Sequence, residues 1–253
     1  MEQLLKDYRL IYQLGLKFLR IRYKNSILGY VWTLLHPIIY VVIFTFIFST
    51  IVGDVENYPV YALSGMLFWI FFNTTTSQIL TSVIESAQLL KAMAVPPVYF
   101  PMGTLVAGFV NLYLSLIPFV ILMFFTGAEF SFHNLLIIPV SIIFSFFIFG
   151  FALAMSSLNV FFRDVMFLWN AMGPALFYIT PVAYTIDFVP EQYRWIFKLN
   201  PLYYYMESIR DVLYFNRLPS GQNVLIMLVL ALVSVLFGSF VYNRLKRGFI
   251  SNL

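Results

Sequence analysis

Six stretches of this chain, at about residues 30–52, 60–83, 102–127, 135–160, 166–186 and 222–243, contain no Asp, Glu, Lys or Arg. Each has about the twenty residues that cross a hydrocarbon core of about 30 Å as an α-helix. Backbone in lipid must satisfy its own hydrogen bonds, so runs of this kind predict six spanning helices and little else. Composition points the same way: with 61% hydrophobic and only 10% charged residues, the 253-residue chain has too little polar side chain to coat a water-soluble globule. The expected fold class is all-α integral membrane, with an N-terminal amphipathic interface helix, six transmembrane helices, and two short re-entrant helices between the fifth and sixth. One transmembrane domain, 1–253, is expected. It divides into a cytoplasmic interface helix and hinge (1–29), five spanning helices (30–186), an outer re-entrant segment (187–221), and a sixth helix with a cytoplasmic tail (222–253).

Residues 4–24 place Leu4, Tyr8, Ile11, Tyr12, Gly15, Phe18, Leu19 and Tyr23 on one helical side. Lys6, Arg9, Gln13, Lys17, Arg20 and Lys24 recur on the other. This pattern predicts a helix in the interface plane, its aromatic side in the acyl boundary and its basic side toward anionic headgroups or an acidic partner. A plain membrane anchor accounts for it equally well. The following RYKNSILGYVWTLLHP, 22–37, moves from cations through a Leu28-Gly29 hinge to the interfacial aromatics Tyr30 and Trp32, the order needed to pass from headgroups into lipid. The first 24 residues hold six cations and no compact apolar core, so no cleavable leader is expected. Across the alternating connections, eleven Lys and Arg fall on the side of the two termini and four on the other. Both termini are therefore expected in the cytoplasm.

The missing charges also exclude functions. A proton- or sodium-driven carrier needs an ionisable group inside the bilayer, and His36 is the one titratable candidate of that kind within the runs. Beside Pro37 it reads as a packed or interfacial histidine. Asp54 and Glu56 read as an acidic outer loop, not as a catalytic pair. No catalytic, cofactor-binding or metal-ligating residue is assigned, and the chain, which has no cysteine, is not expected to be an enzyme or to bind nucleic acid. The G-x-x-x-x-G-K-[ST] phosphate loop is absent, so any ATP and Mg would be handled by another chain.

Aromatic residues make up 20% of the chain. Lipid-facing Phe and interfacial Tyr and Trp explain many of them, yet rings also stack on the apolar faces of sugars. With neutral groups such as Asn73, Thr74, Thr75, Thr76, Ser77 and Gln78, they would line a pore that lets a long chain slide; this NTTTSQ run is too polar for lipid and should face protein or water. Between Asp187 and Gly221, Pro190 opens a short helical pattern, Asn200-Pro201 breaks it, and LYYYMESIRDVLYF resumes with Leu202, Tyr205, Met206, Ile209 and Leu213 on one side and Glu207 and Arg210 on the other. These halves are too short to span. They read either as a re-entrant pair gating an exit or as a surface hairpin.

RYKNSILGYVWTLLHP, NVFFRDV at 159–165 and NPLYYYMESIRDVLY at 200–214 together resemble the permease subunits of ABC exporters of O-antigen, teichoic acid or capsular polysaccharide. The likeness runs from about residue 5 to the last residues. It implies a homodimer in the bacterial inner membrane, paired with two ATP-binding cassette subunits, that moves a polyprenyl-diphosphate-linked polysaccharide outward through an aromatic channel at the dimer interface. On that reading Trp32, Tyr40, Phe44, Asn170, Phe177, Tyr178 and Thr180 flank the channel, and Arg20, Arg22 and Lys24 meet the diphosphate or lipid headgroups. Leu28, Gly29, Gln88, Lys91, Pro96 and Pro97 meet the ATPase, and Asn200, Pro201, Tyr204, Tyr205, Glu207 and Arg210 form an outer gate. An exporter of small amphiphiles, lipids or drugs, or a channel or scaffold without an ATPase, would share the helix count.

Overall fold

The computed structural model describes residues 2–23, 29, 31–48, 55–92 and 95–253. The described residues are almost wholly helical: α1 Glu2–Tyr23, α2 Val31–Phe48, α3 Tyr58–Glu85, α4 Ala87–Ala92, α5 Tyr99–Thr126, α6 Ile137–Phe161, α7 Asp164–Ile179, α8 Arg194–Leu199, α9 Pro201–Leu213, α10 Gly221–Leu245 and α11 Phe249–Asn252. Each of the six apolar runs carries a helix over its described residues, the fifth only as far as Ile179. By length and composition, three stretches among the described residues are long and apolar enough to cross a membrane: Tyr99–Thr126, Phe132–Phe161 and Gly221–Asn252.

α3 is the axis of the bundle. Its 28 residues are about 42 Å long, and Ser64, Phe68, Thr76, Ile79 and Leu80 are fully enclosed. Around it stand α2, α5, α6 and α9. The middle of the core is a set of rings in which Phe72 lies 5.7 Å from Trp169 and 6.1 Å from Phe144, while Phe144 lies 4.7 Å from Tyr205, separations at which offset and edge-on pairs attract.

The polar NTTTSQ run turns into protein, as its polarity demands. Thr74 and Ser77 return their hydroxyls to the carbonyls of Ile70 and Asn73. Thr75 and Thr76 are buried, and Ser77 Oγ accepts from Trp169 Nε1 at 2.7 Å.

α6 and α10 form the most intimate pair. Gly238 lies directly on the Gly150 backbone, and a Cβ on either would collide with main chain of the other helix. Small residues at such a crossing let two backbones meet where lipid supplies no hydrophobic drive. Ser234 Oγ donates to the Phe147 carbonyl across the same seam.

α1 departs from a helix whose whole aromatic side faces lipid. Gly15 and Leu19 are buried and pack it on α5, where a Cβ on Gly15 would stand 2.9 Å from Val106 Cγ1. Tyr8 and Tyr12 stack on each other and stay exposed. The fifth run is shorter than its apolar length: α7 ends at Ile179, since the residue before Pro181 is pushed out of helical geometry. Its Pro174 lies inside the helix. The bundle has two ends. At the one bearing both termini, residues of α3, α4, α5, α6, α10 and α11 share a second apolar cluster. At the other, Asn57 bonds Thr126, Asn134 bonds Asn216, and Tyr214 donates to the Glu56 carbonyl.

Candidate functional site

A cleft of about 360 Å³ opens between α2, α3 and α7. α2 contributes His36, Tyr40 and Phe44; α3 contributes Met66, Trp69, Ile70, Asn73 and Thr74; α7 contributes Gly173, Pro174, Phe177 and Tyr178. These positions recur every three or four residues on each helix, so each presents one stripe inward.

The rings form a continuous ladder. His36 stands edge-on to Tyr40 at 4.9 Å, Tyr40 stacks on Phe44 at 6.5 Å, Phe44 meets Phe177 at 6.0 Å, and Phe177 meets Trp69 edge-on at 5.3 Å. Polar character comes from the Asn73 amide and the Thr74 hydroxyl. Among the described residues that line the cleft there is no Asp, Glu, Lys or Arg. Such a wall offers ring faces and neutral hydrogen-bonding groups, which suits a neutral, hydroxyl-rich ligand and gives a free charge nothing to pair with.

The faces flanking the cleft are uncovered. On α2, Val31, Trp32, Ile38, Ile39, Val42 and Phe46 are exposed. On α7 only Trp169 and Gly173 are buried, and Phe167, Leu168 and Met172 point outward.

Of the channel residues expected from the sequence, Tyr40, Phe44, Phe177 and Tyr178 meet in the cleft. Trp32 is exposed on the first turn of α2 and Asn170 is exposed on α7, both outside the cleft lining. Thr180 is fully buried, its Oγ1 accepting from Asn200 Nδ2 at 2.8 Å. Trp69, one of the aromatic residues of the second apolar run, joins the wall one helical turn before Asn73, and Gly173 and Pro174 complete it without a sequence signal of their own.

A second constellation closes the far end of α7. There the backbone of residues 180–184 is irregular, and side chains of α3, α9 and the Asn200 cap satisfy carbonyls of residues 179–184. Tyr58 and Tyr61 hydroxyls donate to Ala183 and Tyr184, Asn200 Nδ2 to Ile179, and Arg210 Nη2 to Val182 at 2.7 Å. Gly65 makes room, because a Cβ there would strike the Val182 carbonyl. Amphipathic periodicity puts Arg210 opposite the apolar face of α9; the structure corrects this, since Arg210 is 1% exposed and lies 4.1 Å over the Tyr61 ring. The buried arc of α9 also takes in Ser208, Asp211 and Val212. Glu207 Oε1 is 3.8 Å from Arg210 Nη1. Burial pushes the Glu207 carboxyl above the usual range, with Arg210 pulling it back down. Asn200 caps α9 by accepting from the Leu202 N–H, and Pro201 fills the first helical position. Tyr204 donates to the Lys198 carbonyl and so ties α9 to α8, whereas Tyr205 is enclosed in the core and donates to the Met227 carbonyl.

At the terminus-bearing end, Arg20 is exposed on α1 and Arg22 lies in its last turn, while Lys24 and Leu28 lie outside the described residues. Gly29 forms a turn with φ +49°, in open space. Gln88 and Lys91 project from α4, which is seated by its one buried residue, Leu90. Pro96 is exposed and Pro97 half-buried just before α5.

The profile of the ABC-2 type transporter family matches residues 9–214. An O-antigen export system permease protein RfbA of Klebsiella pneumoniae is 30% identical over 92% of this chain and 90% of its own length. The RfbA of Myxococcus xanthus, with the same description, is 24% identical over 98% of this chain and 97% of its own. The matched span carries the ring-lined cleft, α4 and the Arg210 constellation together, and the chain belongs to the ABC-2 type transporter family.

Proposed function

We propose that this chain is the transmembrane subunit of an ATP-driven exporter that carries a polyprenyl-diphosphate-linked polysaccharide of the O-antigen type from the cytoplasm across the bacterial inner membrane. The observation that carries the reading is the cleft of aromatic rings and neutral polar groups between α2, α3 and α7. Rings stack on the apolar faces of pyranoses, and amides and hydroxyls exchange hydrogen bonds with sugar hydroxyls. The absence of a fixed charge leaves no deep minimum in which a moving polymer would stop. The names of the Klebsiella and Myxococcus relatives support the same substrate class.

In this reading the helices carrying all six apolar runs span the bilayer, both termini are cytoplasmic, and α8 with α9 forms a re-entrant outer gate. Two copies meet through the uncovered faces of α2 and α7, so that Trp32, Tyr40, Phe44, Asn170, Phe177 and Tyr178 of each flank one channel; Thr180 supports its wall from behind. Arg20, Arg22 and Lys24 hold the diphosphate at headgroup depth through charge-assisted hydrogen bonds. Two separate ATP-binding cassette subunits bind ATP and Mg and close against Leu28, Gly29, Gln88, Lys91, Pro96 and Pro97. Asn200, Pro201, Tyr204, Tyr205, Glu207 and Arg210 set the gate through the 180–184 backbone.

The test is co-expression with the ATPase of the same source, purification in mild detergent, and ATP turnover with and without lipid-linked polysaccharide. Turnover that responds to the glycolipid supports the reading. A response to small amphiphiles alone replaces it with a small-molecule exporter, and failure of any ATPase to associate replaces it with a channel or scaffold.

A further inference from the structure

We propose that residues 248–253 form a brace that seats α4 on the bundle, and that Phe249 is a positioning residue through which a push on α4 reaches α7. This rests on the reading that α4 meets an ATPase.

Six residues, AQLLKA, are too few to hold a helix by themselves, because nucleation costs more than so short a ladder returns. α4 therefore depends on what Leu90 rests against. Leu90 and Phe249 belong to one apolar cluster, and α11 touches both α4 and α6. Chain termini ordinarily fray, but this segment is built. Phe249 is 1% exposed, with its ring 6.1 Å from Phe161 and 5.9 Å from Tyr242. Gly248 lets the chain reverse over Phe161, since a Cβ would stand 2.9 Å from Phe161 Cζ. Ser251 Oγ and Asn252 Nδ2 both donate to the Gly248 carbonyl and close the turn.

The position of Phe161 gives the brace its consequence. It is the last residue of α6, and α7 begins three residues later at Asp164. α7 in turn carries Phe177 into the ring ladder. A path therefore runs from α4 through the cluster shared by Leu90 and Phe249 to the Phe161 ring, and from Phe161 along three residues of chain into α7 and the wall of the cleft.

The experiment uses the full permease with its ATPase and compares Phe249→Ala, Phe249→Leu and Gly248→Ala. A nitroxide attached at position 88, in the Gln88→Cys permease alone, reports how firmly α4 is seated, independently of transport. The expected result for Phe249→Ala is unchanged permease in the membrane and unchanged ATPase co-purification, a more mobile label, and a severalfold loss of glycolipid-stimulated turnover and of export. Phe249→Leu refills the apolar site and restores all three, and Gly248→Ala behaves like Phe249→Ala. Unchanged label mobility in Phe249→Ala overturns the brace. So does loss of export only in proportion to permease lost from the membrane in both alanine variants. If the unsubstituted complex shows no glycolipid response, the exporter reading fails, and the label still decides whether Phe249 seats α4.

Discussion

Arg210 Nη2 donates to the Val182 carbonyl at 2.7 Å, joining a helix that follows the break at Asn200 to the unwound segment that precedes it. The guanidinium also caps the Tyr61 ring and faces Glu207, so one cation holds α9, α3 and the end of α7 in register. Arg210→Met leaves the buried Val182 carbonyl without that partner and the half-buried Glu207 carboxyl without its facing cation, at a cost of about 3 kcal/mol. The thermal midpoint of the detergent-purified protein is expected to fall, and Arg210→Lys to recover only part of the loss, since an ammonium lacks the planar face that lies on Tyr61.

Trp169 and Ser77 form the hydrogen bond that fastens α7 to α3. Trp169→Phe and Ser77→Ala are each expected to cost about 1 kcal/mol through that bond. The double variant should cost less than the sum, and a double-mutant cycle of detergent-state stability isolates the difference. Fully additive costs would show that the bond contributes nothing.

The ring ladder makes a prediction about export. Tyr40→Ala and Phe177→Ala are expected to leave the protein inserted and the ATPase bound while lowering export severalfold, whereas Phe177→Tyr retains a ring and retains export. Cell-surface polysaccharide, quantified against permease in the membrane, is the measurement.

Gly29 tests the hinge by conformation and not by space. Its φ of +49° is left-handed, and no described residue stands within 4 Å of where a Cβ would be. A β-branched side chain there costs about 1–2 kcal/mol from backbone strain, while Asn tolerates the conformation. Gly29→Val is expected to uncouple ATP turnover from export with the fold inserted, and Gly29→Asn to preserve coupling. Normal export by Gly29→Val removes Gly29 from the coupling role.

Helix positions were legible because an apolar run of about twenty residues has one stable form in lipid. The inner arc of α9 was legible from period 3.6, and Leu202, Tyr205, Met206, Ile209 and Leu213 are buried. Arg210 was not, because periodicity names a face without saying what packs against it. Its partners Tyr61 and Val182 are remote in sequence, and burial at such contacts is settled by tertiary packing. The short α4 and α11 escaped for a different reason: six and four residues are too few for any period to show. The end of α7 did have a local signal, Thr180 before Pro181, which hydropathy alone passes over. In the cleft, Tyr40, Phe44, Phe177 and Tyr178 were visible as aromatic clusters. That Trp69 joins them depends on α3 standing directly behind, which no single run encodes.

The Gly150–Gly238 crossing divides the molecule mechanically. With no side chain between them, α6 and α10 cannot slide or roll without main chain striking main chain, so they act as a stator. α7 buries only Trp169 and Gly173 fully and packs Val165, Leu176 and Phe177 partly against the core, so it has no main-chain lock of that kind to break before it turns. On the exporter reading proposed above, work delivered at one end of the molecule would pass by the stiff pair and turn the helix that carries Phe177.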